Sequence, residues 1–268
     1  MIELNHVRRG EGEPLLLVHS LGGTLRQWLP VMDRLAAERE VVAVDMPGFG
    51  SSPSLPADVE PSPVNLAAAV MDFYATLGLG PPAVSGISLG AWVAIESARS
   101  HGASAAVALC PAGFWREPFD PGRPTAYQAA RAMRPLLPLL RIPALRRAAL
   151  RSNVHDPSRV SAADAIELVR GYGGAAAYVE ANRLMCGNTV ADLSGVAAPI
   201  TVAWAEFDRI VRNRPLKEGI LPPSVRQVTL PGCGHVPTWD DPELVGHVVL
   251  EGTSERARAR SAPRVTGV

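Results

Sequence analysis

The sequence predicts an α/β fold in which a mostly parallel sheet is covered by helices on both faces. Short aliphatic runs alternate with longer helical stretches along most of the chain. The runs are mostly too compact to be helices and end near Gly, Pro, Asp or Ser, as strands entering loops do. A Gly-x-Ser-x-Gly motif stands between one such run and the helical stretch after it, the setting of a sharp strand-to-helix turn.

Strands are expected at residues 15–18, 41–44, 83–85, 105–109, 200–204 and 226–230. Helices are expected at 25–37, 64–77, 89–100 and 243 to about 257, with Gly78 and Gly102 as stop signals. From 111 to 198 the strand pattern gives way to a Pro- and Arg-rich helical segment, read as a cap inserted into a core formed by 1–110 and 199–268. Within it Pro135, Pro138 and Pro143 break the chain into short helices, and a cleaner helix over 175–185 follows the flexible Gly171, Gly173 and Gly174. The tail beyond Gly252 is expected to end in disorder.

Composition narrows the function classes. The 268 residues are 47% hydrophobic and 19% charged, enough for a sizeable single core. With 26 basic and 26 acidic residues there is no global field for nucleic acid, so none is expected as a partner. No apolar run reaches a membrane span and the first ten residues hold no signal-like stretch, so a cytoplasmic protein without an integral membrane segment is expected. Cys110, Cys186 and Cys233 are far apart and lack metal-ligand spacing, so they are read as buried thiols rather than disulfides or a zinc site. Basic charge is almost all arginine, Lys217 being the one lysine.

Gly86-Ile87-Ser88-Leu89-Gly90 is the chemical centre of the sequence. The turn forces the serine into an unfavourable backbone conformation, and glycines at 86 and 90 let strand and helix approach. A serine hydroxyl is a weak nucleophile unless a neutral imidazole takes its proton. Of six histidines, His235 is best placed, in a Gly-rich loop leaving the last strand. His19, the main competitor, is expected to buttress its own loop, and His6, His101, His155 and His247 lie at element edges or in the cap. The acid that orients the base is assigned to Asp208 after the 200–204 strand, with Glu206 able to substitute; Asp240 and Asp241 are read as starting the last helix. Donors for a developing oxyanion are expected from the backbone N–H groups of Leu89 and Leu21.

These motifs resemble the α/β-hydrolase superfamily from Leu15 to about His247, through HSLGG at 19–23, DMPGFGSS at 45–52, GISLG at 86–90 and the GCGH ending at His235. The 19–28 stretch also looks like enol-lactonases such as 3-oxoadipate enol-lactonase. The resemblance implies about seven strands, the family's first strand having no room and residues 3–6 resembling its second, with the cap inserted after the sixth family strand. The Asp45, Pro47, Gly48, Gly50 and Ser52 turn is mostly structural in the family. Ser20 stands where the family has glycine, and around Asp208 the family's glycine and later proline are replaced by Ala205 and Arg212. Serine at 88 disfavours the dehalogenase and epoxide-hydrolase branches, which use aspartate there.

The chain is therefore expected to act on an ester, lactone, thioester or related acyl substrate, a largely apolar small molecule with a carbonyl group, with neither cofactor nor metal. Open alternatives are a lyase, cyclase or cofactor-free oxygenase on the same fold, and a ligand-binding receptor that keeps the triad. Ser20, Phe114, Trp115 and Tyr127 are the pocket candidates. Arg131, Arg134, Arg141, Arg146, Arg147 and Arg151 interleave with leucines without an acidic residue. A solvated face is favoured for them, a substrate-pairing arginine is the functional reading, and membrane-surface association is a third.

Overall fold

A computed structural model describes residues 2–211, 219 and 221–254. The expected tail beyond 254, together with Arg212 and Lys217, lies outside the described residues. Seven strands are present: β1 (His6–Arg9), β2 (Pro14–Val18), β3 (Glu40–Val44), β4 (Ala83–Ile87), β5 (Ala105–Leu109), β6 (Ile200–Ala205) and β7 (Arg226–Leu230). They form one sheet in the order β1-β3-β2-β4-β5-β6-β7, parallel except for β1, which pairs antiparallel with β3.

The central strands are buried on both faces, so they read as unbroken apolar runs, yet their side chains still alternate between two cores. Leu16, Val18, Val42, Val44, Ala106 and Ala108 enter one core, and Leu15, Leu17, Val41, Ala43, Val107 and Leu109 the other. The first core is closed by α2 (Pro63–Ala75) and α3 (Leu89–Ser100). The second is closed by α1 (Leu29–Ala36) and α8 (Pro242–Gly252).

Several boundaries differ from expectation. The N-terminal strand is His6–Arg9 rather than 3–6, because Ser52 Oγ takes the Asn5 N–H and donates to the Asp45 carbonyl, leaving that pair only one of its two ladder bonds. The helix expected from residue 25 begins as a 3-10 turn, Leu25–Trp28, ahead of α1. Helix α8 ends at Gly252, with Thr253 as its C-cap, short of the expected 257.

Between β5 and β6 lie α4 (Thr125–Ala132), a 3-10 helix (Arg134–Arg141), α5 (Pro143–Leu150), a 3-10 turn (Pro157–Arg159), α6 (Ala162–Gly174) and α7 (Tyr178–Cys186). Pro135 and Pro143 stand at helix starts, in keeping with the expected division into short helices, but Pro138 lies inside the 3-10 helix and does not break it. Gly171, Gly173 and Gly174, however, are helical residues of α6 and not a flexible lead-in to the next helix. A Cβ on Gly171 would lie 2.7 Å from Thr24 Cγ2, and one on Gly173 2.7 Å from the Ala130 backbone. Close packing, not hinge freedom, accounts for these two glycines.

The strand order places the site. From β2 the chain moves outward to β3, then crosses back to β4 on the other side of β2. At such a reversal the loops after the two strands diverge and leave a crevice at their carboxyl ends. Those loops carry residues 19–23 and Ser88.

Candidate active site

Ser88 stands between the last residue of β4 and the first of α3, with φ 57° and ψ −113°. This positive φ is rare for a residue with a Cβ and costs on the order of 1–3 kcal/mol. Surrounding contacts over-determine it: the Ser88 N–H donates to the Leu109 carbonyl at 2.9 Å, and its carbonyl accepts from Trp92 and Ala112, each at 3.2 Å. A Cβ at Gly86 would sit 1.9 Å from the Gly90 carbonyl oxygen, and one at Gly90 2.4 Å from the carbonyl oxygens of Val18 and His19. The N–H of Leu89, at the first helical position, precedes any intrahelical acceptor.

His235 and Asp208 come from the loops after β7 and β6. His235 Nδ1 lies 2.9 Å from Asp208 Oδ2, and both side chains are almost fully buried. The other carboxylate oxygen, Oδ1, accepts from the Ile210 and Val211 N–H groups at 2.8 and 2.9 Å. Burial pushes the Asp208 carboxyl up, but the adjacent imidazole and the two backbone donors outweigh it, so it stays below its ordinary range. With Asp208 ionised, the bond requires the proton on Nδ1, which leaves Nε2 as an acceptor. Glu206 is occupied elsewhere, accepting from the Gly232 N–H at 2.9 Å.

The acidic residues after His235 divide their work. Asp241 caps α8 through the Leu244 N–H, as expected. Asp240 does not start the helix. It is buried and accepts from the N–H groups of Gly234, His155 and Asp156 at 2.8, 3.0 and 2.8 Å, tying the His235 loop to the inserted segment.

The loop after β2 is fixed by side chains. His19 is fully buried, with Nδ1 2.8 Å from the Ser20 carbonyl and Nε2 accepting from the Met46 N–H at 2.9 Å, so it buttresses the loop as expected. Gln27 accepts from the Ser20 N–H with Oε1 and donates to Ser20 Oγ with Nε2, both at 2.9 Å. Asp45 receives the Leu25 and Ser51 N–H groups and the Asn5 amide, consistent with a structural turn.

Ser88 and His235 line one cavity of about 270 Å3, with Ser20 and Leu21 on its wall. Of the aromatic candidates, Trp115 lines it, whereas Phe114 and Tyr127 do not. Phe114 is fully buried in the core with its ring 6.0 Å from Trp204, and Tyr127 stacks behind Tyr178 at 4.6 Å. None of the six named cap arginines is on this wall. A second, mostly apolar chamber of about 240 Å3 shares Leu21 and Tyr172 with it and runs under α4, α5 and α6.

The chain matches the model of the alpha/beta hydrolase family over residues 15–247. It belongs to that family. Among curated members, RutD of Escherichia coli O157:H7, provisionally named a carbamate hydrolase, is 28% identical over 257 residues, covering 92% of this chain and 94% of RutD. The (E)-2-((N-methylformamido)methylene)succinate hydrolase of Acinetobacter baylyi is 33% identical over 89 residues, a span of only 33% of each chain. Among solved structures, a thermophilic esterase from Thermogutta terrifontis superposes with a TM-score of 0.67 at 22% identity, covering 96% of this chain and 94% of the esterase. The enol-lactonase from Burkholderia xenovorans LB400 gives 0.66 at 18% identity, covering 92% of this chain and 95% of the lactonase.

Against the family pattern, Ser20 in place of glycine is accommodated by Gln27, which holds both its N–H and its hydroxyl. Sequence reasoning missed Tyr172, Tyr178 and Asn182, which reach the cavity from the helical insertion. Their spacing carries no motif; only a Cβ-free Gly22, against which both tyrosine rings pack, could have hinted at them. Cys110 was also missed as a site neighbour. It is fully buried at φ 48°, and its sulfur, an Asp208 carboxylate oxygen and a His235 ring nitrogen lie within 4.8 Å of one another. Burial, then the charge of Asp208, push its thiol well up. No helix among the described residues is long and apolar enough to cross a membrane.

Proposed function

We propose that this alpha/beta hydrolase is a serine hydrolase acting on an ester, lactone, thioester or related acyl substrate. In this reading Ser88 attacks the carbonyl, His235 takes its proton through Nε2, and Asp208 holds the ring and stabilises the imidazolium. The N–H groups of Leu21 and Leu89 receive the oxyanion, and water activated by the same histidine releases the acyl group. The observation that carries it is the buried 2.9 Å contact between Asp208 and Nδ1 of His235, whose ring lines the same cavity as Ser88 on its strained turn. Hydrolase, esterase and lactonase names among the relatives support acyl chemistry without choosing a substrate. Residues 111–198 act as a cap, and the apolar chamber beside the cavity favours a largely apolar substrate.

The test is covalent labelling with a fluorophosphonate. Ser88 should be the labelled residue, and Ser88→Ala should keep its fold while losing label and turnover. Labelling elsewhere, or full activity of the alanine variant, refutes the assignment. Incorporation of isotopic oxygen from labelled water into the acid product separates hydrolysis from lyase, cyclase or oxygenase chemistry.

A further inference from the structure

Among the described residues nine large hydrophobic side chains are exposed, and five of them are Met133, Leu136, Leu139, Ile142 and Leu145. They recur every third residue. In the 3-10 helix Arg134–Arg141, with three residues per turn, Leu136 and Leu139 line up along one edge; Met133 and Ile142 are its caps, and Leu145 follows in α5. Leu137 and Leu140, on another edge of the same helix, are 2% and 1% exposed, while the first row is 38% to 52% exposed. The segment thus buries one apolar row and presents a second to the outside.

The charge around this ridge has one sign. From Pro121 to His155 there are seven arginines and no aspartate or glutamate. Arg141 and Arg147 are exposed, and their guanidinium groups have no partner among the described residues. An apolar edge alone could pair with many surfaces. Flanked by unpaired guanidinium groups in a chain of zero formal net charge, it matches a surface that is apolar within and anionic at its border.

We propose that the Met133–Leu145 ridge and its flanking arginines dock this protein on the face of an anionic lipid bilayer, without spanning it. The leucines enter the boundary between headgroups and acyl chains while the arginines meet lipid phosphates. The flanking helices lend weight: Ala126, Ala129 and Ala130 of α4 and Ala149 and Leu150 of α5 line the apolar chamber beside the Ser88 cavity, and Met133 at the start of the ridge reaches it too. Docking would bring that chamber next to the bilayer, though the inference does not depend on the catalytic assignment.

The experiment is co-sedimentation of the full chain with vesicles of phosphatidylcholine alone and of phosphatidylcholine mixed with phosphatidylglycerol. Binding to the mixed vesicles is expected, weakening as salt is raised. Arg141→Gln and Arg147→Gln should each lower the partition coefficient about five-fold. The Leu136→Ser/Leu139→Ser pair should lower it roughly ten-fold or more, with an unchanged thermal midpoint because both side chains are already exposed. Absence of vesicle binding, equal binding to both compositions, or wild-type partition by the serine pair overturns the proposal. Self-association in sedimentation velocity that the serine pair abolishes, with no vesicle binding, would assign the ridge to a second copy of the chain instead.

Discussion

At the scale of single residues the site turns on which carboxylate meets His235. Asp208 Oδ2 meets the ring, and Oδ1 is held by two consecutive backbone N–H groups, so its orientation does not depend on the histidine alone. Asp208→Asn should therefore keep its position but favour the wrong tautomer, lowering acylation by about 10⁴-fold, the scale seen in chymotrypsin-type enzymes. Fluorophosphonate labelling of Ser88 should slow without vanishing, and Glu206→Gln, whose carboxylate serves Gly232, should label at the wild-type rate. The reverse ranking would show the acid to be misassigned. His19 leads to a pH prediction of a different kind. Burial pulls its imidazole below the ordinary value of 6.5, against the opposing pull of Asp45 and the Ser20 carbonyl. The unfolded chain takes up a proton there below about pH 6.5, and the folded chain only at lower pH. The stabilising contribution is complete above that value and lost as the pH falls toward the folded value. Urea midpoints measured from pH 7.5 to 5 should drop more steeply for wild type than for His19→Gln, and parallel slopes would refute the role.

At the scale of elements, the Ser88 turn depends on an approach that only hydrogen side chains permit. In Gly86→Ala the new Cβ would meet backbone atoms of Gly90, which cannot swing aside as a flexible side chain could. Strand β4 and helix α3 would have to separate, at a cost of about 3 kcal/mol or more, and Ser88 would move with them. A displacement of about 1 Å is worth roughly 10²-fold in rate, so labelling should fall at least that far. Gly80→Ala, with nothing within 4 Å of the added carbon, is the matched control and should be near neutral in chemical denaturation. Equal stability of the two variants would refute the packing argument. The same elements mark what the sequence made legible. Strands such as β2 and β5 were readable because central parallel strands are continuously apolar, and the turn because its glycines are obligatory. The edges were not: β1 is displaced because Ser52 Oγ stands between the Asn5 N–H and the Asp45 carbonyl, a long-range effect no local pattern reports. The glycines of α6 misled for a related reason, since glycine serves both hinges and tight contacts and only the partner, Thr24 or Ala130, tells them apart.

At the scale of the whole molecule, the placing of Ser88, Asp208 and His235 in loops after strands was legible because the strand pattern is, whereas the pocket was not, because its outer wall comes from another part of the chain. Phe114 and Trp115 are neighbours in sequence but only Trp115 reaches the cavity, while Tyr172 and Tyr178 arrive from α6 and α7. In the proposed reading that wall also governs substrate size. The Ser88 cavity and the chamber beyond Leu21 and Tyr172, at about 270 and 240 Å3, each fall below the roughly 300–1,000 Å3 usual for ligand sites, and only together do they reach it. A substrate that uses both would place its carbonyl at Ser88 and its apolar chain past Tyr172. For p-nitrophenyl esters of increasing acyl length, kcat/KM should then rise by up to roughly four-fold per methylene, the transfer value of about 0.8 kcal/mol, until the chamber is filled. Ala129, exposed on the chamber wall and not part of the Ser88 cavity lining, provides the control. Ala129→Trp should leave the acetate ester unaffected and flatten the rise for longer chains, while Tyr172→Ala, which opens the partition, should extend it. A flat length profile in the wild type, alongside measurable acetate hydrolysis, would mean that the chamber takes no part in binding the acyl chain.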